Sequence, residues 1–181
     1  MIAIDFTQMS MSSDGRDTVM VITDVFSKWA MALPVGDRPL RTLVRVLIEE
    51  WFTVFGAPAR IHSVQGREFE AEVVSELCEH YGIVKSRIAS YNPRCNGQTE
   101  RFNRTLHGLS RTLTSEEKRR WPQYIKELVF WYNMTPHSAT NISPIVLIFG
   151  RNASISIDCI HKRSSAPTLS AKIIFSDIFR Y

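Results

Sequence analysis

A chain of 181 residues that is 44% hydrophobic, with a mean hydropathy of −0.10, carries enough apolar material for one substantial core. Its formal charge of +4 and pI near 9.1 tilt it toward anionic partners without naming one. Three scattered cysteines exclude a disulfide framework, no histidine falls at zinc-ligand spacing with them, and no apolar run approaches a membrane span. The expectation is a soluble protein of the nucleus or cytoplasm, not secreted and with no membrane partner.

Ile2, Ile4 and Phe6 alternate with Ala3, Asp5 and Thr7, the period-two pattern of a strand that sets Asp5 opposite the apolar face. An Asp14-Gly15 turn leads into a second, buried strand over Thr18 to Thr23, and Trp29 to Leu33 predicts a third that ends at Pro34. The period then changes. Leu40, Leu43, Val44, Leu47, Trp51, Phe52 and Phe55 recur at three- and four-residue steps, predicting one core-facing helix that Gly56 and Pro58 stop. Arg60 to Ser63 reads as a short strand, Phe69 to Tyr81 as a helix closed by Gly82, and Ile83 to Arg87 as another strand.

Ile88 to Cys95, with Pro93, reads as loop, and a helix opens near Asn96-Gly97. Phe102, Leu106, Leu109 and Leu113 form its apolar seam, while Glu100, Asn103, Arg104, His107 and Arg111 share a polar face. Thr114 to Arg120 reads as a charged linker. Trp121, Ile125, Leu128 and Tyr132 mark a further amphipathic helix, with Pro122 in its first turn and Pro136 closing it. Ser143-Pro144 starts one more short helix through Phe149, ended by Gly150. Past Arg151 the pattern dissolves into Ser-rich sequence, so the chain divides into a domain over 1–151 and a weakly ordered tail over 152–181. A meander of strands, then helix and strand units, then helices, implies an α/β fold with a mixed sheet covered on both faces.

Two stretches carry the chemistry: His62-Ser63-Val64-Gln65-Gly66-Arg67-Glu68-Phe69, and Tyr91-Asn92-Pro93-Arg94-Cys95-Asn96-Gly97-Gln98-Thr99-Glu100-Arg101-Phe102-Asn103-Arg104. With Asp5-Phe6-Thr7, Asp24 to Trp29, Trp131-Tyr132-Asn133, His137 and Ser143-Pro144, they resemble the integrase catalytic core of gypsy-class LTR retrotransposons and retroviruses. The resemblance runs roughly from Ile2 to Arg151. It implies an RNase H-like fold with a five-stranded mixed sheet flanked by helices, the first three strands antiparallel. It also implies a triad of two aspartates and a glutamate, with thirty-five residues between the second aspartate and the glutamate. Asp5 and Glu100 match, and thirty-five residues separate position 64 from Glu100, so Val64 stands where the second aspartate belongs. The zinc-binding HHCC domain that such proteins usually carry ahead of the core is missing, and the chain reads as truncated at its front.

In that family Mg²⁺ or Mn²⁺ ions are held by oxygen ligands on either side of the phosphoryl group in transfer. Valine has no lone pair. With Asp5 and Glu100 left as the only catalytic and metal-holding carboxylates, the predicted rate loss is on the order of a thousandfold or more. Glu68 and Asp24 are nearby candidates for a substitute ligand, disfavoured because metal ligands tolerate little displacement. DNA contacts are assigned to Asn96, Gln98, Arg101, Asn103, Arg104, His107 and Arg111, side chains suited to phosphate oxygens, with Lys85, Arg87 and Arg94 extending the surface. Lys118, Arg119 and Arg120 read as a solvated turn, His62 as a hydrogen-bonded strand-end residue, His137 as structural, Cys78 as core and Cys95 as an exposed thiol.

The favoured function is an integrase-derived, DNA-binding domain related to DNA integration and silenced at Val64. The alternatives are a protein-interaction module assembling with further copies of itself, or a polynucleotidyl transferase using a substitute ligand. A relic with no selected function is the fourth reading.

Overall fold

The sheet is built around β1 (Ile2–Gln8), because this strand pairs on both sides. β2 (Thr18–Asp24) runs antiparallel beside it, β3 (Ala30–Val35) antiparallel beside β2, and β4 (Arg60–Ser63) and β5 (Val84–Arg87) continue the other edge in parallel. The spatial order is β3-β2-β1-β4-β5. This computed structural model describes residues 1–36, 39–63, 71–87 and 93–153, with the side chains of 39–41, 87 and 93–96 outside the description. Val64 and Glu68 therefore lie outside the described residues, as does the tail from 154 onward.

Strand alternation divides the molecule into two cores. Ile2, Ile4, Met20, Ile22, Leu33 and Val35 pack on one face against Leu43, Leu47, Trp51, Val74 and Leu77. On the other face, Val19, Val21, Ala30 and Ala32 meet Phe102, Leu106, Leu109, Trp121, Ile125 and Tyr132. Asp5 and Thr7 sit on this second face by the same alternation, which is why a carboxylate on the central strand comes to lie beneath a helix.

The helices are α1 (Pro39–Val46), a π-helical turn (Leu47–Phe52), α2 (Thr53–Phe55), α3 (Glu72–His80) and α4 (Pro93–Arg111). They are followed by α5 (Ser115–Arg119), α6 (Trp121–Met134) and α7 (Pro144–Phe149). Among the described residues no helix is long and apolar enough to cross a membrane.

Four local expectations change. The single helix from Leu40 contains a π turn, because Leu43, Leu47 and Trp51 recur in steps of four that drift around a 3.6-residue helix. The wider i→i+5 turn takes up that drift and keeps all three on the sheet. Pro34 does not end β3, which runs on to Val35; β3 is an edge strand, where a missing N–H need not break a ladder. α4 begins at Pro93, earlier than Asn96, since proline's fixed φ and absent N–H suit a first helical turn. Thr114 to Arg120 is not merely a linker: Thr114 and Glu117 form a reciprocal capping box that opens α5. Gly150 closes α7 at a φ of 69°, a conformation that costs glycine little.

Candidate metal and nucleic-acid site

Asp5 projects toward α4, where Asn103 Nδ2 donates to its Oδ2 at 2.9 Å, while the Phe6 amide donates to Oδ1 at 2.9 Å. Burial holds this carboxyl above its usual range; the Phe6 and Asn103 hydrogen bonds pull it down, and the neighbouring charge of Glu100 pushes it further up. Glu100 is exposed, three residues before Asn103 and so on the same side of α4. The fold thus brings together two carboxylates ninety-five positions apart, one half-buried on the central strand and one exposed above it.

α4 is tied at Gln98 and Thr99 to the end of β2 and to the turn that joins it to β3. Lys28 adopts φ 67°, and its ammonium donates to the Val25 carbonyl at 2.6 Å and to Gln98 Oε1 at 2.8 Å. Gln98 Nε2 donates to the Asp24 carbonyl at 2.9 Å, and the Thr23 and Thr99 hydroxyls meet at 3.3 Å. Asp24 Oδ2 accepts from the Ser27 amide and hydroxyl at 2.8 and 2.7 Å. The stretch Asp24 to Trp29 is therefore a cradle for the first turns of the helix that carries Glu100.

This placement answers several expectations. Asp24 is no substitute ligand beside Asp5: it pairs with Ile2, whereas Asp5 pairs with Val21, an offset of about 10 Å along the strand, and its carboxylate is capping Ser27. Gln98 is buried, with both ends of its amide bonded inside the protein. Asn103 supports Asp5. His107 turns toward β1, its Nε2 bonded with Thr7 Oγ1 at 2.9 Å. Arg101, Arg104 and Arg111 are exposed and have no ion-pair partner among the described residues. The side chains of Asn96, Arg94 and Cys95 lie outside the described residues.

His62 is buried at the end of β4, with Nδ1 bonded to Ser86 Oγ at 3.1 Å. Burial lowers its pKa, Ser86 opposes this, and Arg60 adds to the lowering. His137 is held by backbone bonds within the turn before α7, its pKa lowered by burial and then by Lys28 and Arg101. Cys78 is buried. Sequence reasoning assigned no role to Lys28 or Thr7, whose partners stand 70 and 100 positions away; no local pattern could have pointed to either.

Among the described residues no three side chains of the metal-ligating kind come together. Asp5 and Glu100 supply oxygen donors of the chemistry that Mg²⁺ and Mn²⁺ require, but two carboxylates are an incomplete set for a pair of ions.

The model of the family described as "Integrase core domain" matches residues 1–93. The Gag-Pol polyprotein of avian reticuloendotheliosis virus is 30% identical over 147 residues, which is 81% of this chain and 13% of the polyprotein. The transposon Tf2-3 polyprotein of Schizosaccharomyces pombe is 26% identical over 156 residues, 86% of this chain and 12% of that protein. The chain thus spans only a small part of the polyproteins it matches. In fold it is similar to the HTLV-2 integrase catalytic core domain, solved in complex with magnesium in a trimeric form. The TM-score is 0.61 at 16% identity, covering 79% of this chain and 91% of that one.

Proposed function

This chain belongs to the integrase core domain family, and from that membership we propose that it is a DNA-binding integrase core whose metal-dependent strand-transfer chemistry is silenced at Val64. The observation that carries the reading is the pair Asp5 and Glu100, brought together under and upon α4, with thirty-five residues separating Glu100 from a valine. The parallel register supports this assignment of position 64, since Ser63 stands alongside Ile4, the residue before Asp5. A side chain of two methyl groups cannot complete an oxygen ligand set, so the residues present do not fit a two-ion centre. The exposed guanidiniums of Arg101, Arg104 and Arg111 support binding through phosphates, which does not require the ions. Under this reading the protein acts in the nucleus and assembles with further copies of itself, as the trimeric form of the HTLV-2 relative suggests.

The test is Mg²⁺- and Mn²⁺-dependent strand transfer and disintegration on oligonucleotide substrates, comparing the chain with its Val64→Asp variant. The expected result is activity in the variant alone, exceeding the unmodified chain by on the order of a thousandfold or more. Comparable turnover by the unmodified chain would sink the silenced reading and direct the search to a substitute ligand.

A further inference from the structure

A concavity of mixed polar and apolar lining, to which Met9 and Trp121 contribute, lies between the end of β1, the second half of α4, α5 and the start of α6, separate from the carboxylate pair. Its volume is about 220 Å³, and its polar lining comprises Gln8, Ser10, His107, Ser110, Arg111 and Lys118, beside the edge of Trp121. His107 lies seven residues beyond Glu100, about 10 Å along the helix. Among the described residues no acidic side chain lines the cavity.

The floor is built rigidly. Trp121 Nε1 donates to the Ser10 carbonyl at 2.8 Å, Ser110 Oγ donates to the His107 carbonyl at 2.8 Å, and His107 Nε2 bonds with Thr7 at 2.9 Å. The Ser13 amide donates to the Arg119 carbonyl at 2.7 Å, which moors α5 to the turn after β1. The rim is charged and open. Arg111 and Lys118 are both exposed, and neither has an ion-pair partner among the described residues. Two uncompensated cations at the rim, with the Gln8 amide and the Ser10 hydroxyl beside them, suit an anion with several acceptor oxygens. At about 30 Å³ per water, the space equals roughly seven waters, enough for a phosphate with water around it.

We propose that this cavity is a phosphate-binding subsite, held by Arg111 and Lys118 beside Gln8 and Ser10, that takes a phosphate group of a nucleic-acid strand bound along α4. The source of the phosphate rests on the nucleic-acid reading above; the charge and shape of the cavity do not. Lys118 reads locally as part of a solvated turn, because only the packing of α5 brings it opposite α4.

The test uses the labelled 181-residue chain with inorganic phosphate and, separately, a short single-stranded oligonucleotide, following the Trp121 indole N–H and the His107 ring by NMR. Arg111→Ala, Lys118→Ala and their double variant are compared with Lys126→Ala, which removes an exposed cation from α6; thermal melts verify folding. Both probes are expected to shift the two markers saturably, with phosphate affinity falling about tenfold or more in the double variant. The slope of log K against log salt for the oligonucleotide is expected to fall by about 1 to 2 in the double variant and to change least in Lys126→Ala. Oligonucleotide binding that leaves the markers and the slope unaltered overturns the subsite while leaving the nucleic-acid reading standing. Phosphate binding here without oligonucleotide binding keeps the subsite, assigns it to free phosphate and removes the nucleic-acid reading. Binding of neither overturns both.

Discussion

Asp5 carries a conflict between burial and charge that a titration can expose. Its folded-state pKa lies above the unfolded value, so between the two the unfolded chain releases a proton that the folded chain retains. Stability is therefore lost as pH rises from the unfolded pKa through the folded one, and the ionised carboxylate is a liability at neutral pH. Relative to the parent, Asp5→Asn is expected to gain stability between pH 3.5 and pH 7, by at most about 1 kcal/mol because solvent screens a partly exposed group. The difference should shrink below about pH 4, the ordinary aspartate range. Urea unfolding of both proteins at pH 3.5 and pH 7 would measure this; a variant that gains no stability relative to the parent between the two pH values would falsify the assignment of burial as the dominant cause. The amide keeps one acceptor oxygen where the carboxylate offers one each to Phe6 and Asn103, so the variant also loses a hydrogen bond at every pH and only the pH-dependent part of the comparison reports the charge.

At the scale of elements, the position of Glu100 depends on how α4 is seated. Phe102, Leu106 and Leu109 press the helix against β2, and Phe102 meets Tyr132 of α6 edge-on at 4.8 Å between ring centroids. These contacts fix the helix axis but leave its first turns to polar interactions. Gln98 supplies them by linking the Lys28 ammonium and the Asp24 carbonyl. Gln98→Ala removes both bonds, with an expected cost of about 1–3 kcal/mol in urea denaturation, since a charged donor loses one acceptor and the Asp24 carbonyl one of its two donors, the Lys28 amide remaining. A loss within about 0.5 kcal/mol, the range of ordinary surface changes, would mean that the cradle does not hold the helix. The apolar seam of α4 was legible in the sequence because a 3.6-residue period needs no knowledge of what it packs against. The cradle was not, because nothing local sets Lys28 apart from the other five lysines until a turn in left-handed conformation aims it at residue 98.

For the molecule as a whole, the two cores share their central strands. Ile2 and Ile4 of β1, with Met20 and Ile22 of β2, serve one cluster, while Val19 and Val21 of β2 serve the other, so neither face can lose its packing without disturbing the sheet common to both. The 181-residue chain is accordingly expected to unfold in one cooperative transition. Far-ultraviolet circular dichroism and tryptophan fluorescence should give coincident urea curves; Trp51 reports one core and Trp121 the other. Two separated transitions would show that the α4–α6 face and the α1–α3 face are independent units.

What the sequence by itself determined is what repeats or stands adjacent along the chain. The alternation in β1 put Asp5 opposite the apolar face, the seam of α4 put Glu100 on the polar side, and Ser143-Pro144 with Gly150 bounded α7, because pleat, helical pitch and capping are local physics. Asp5 and Glu100 were legible as partners only through family resemblance, since no local rule links residues ninety-five positions apart. Tertiary structure alone decided the rest: that Asn103 holds Asp5, that Gln98 and Asp24 belong to the seating of α4, and that His107, Arg111 and Lys118 surround one cavity. Those relations arise from which strand lies beside which and which helix crosses above, and their energies appear only when distant groups are desolvated together.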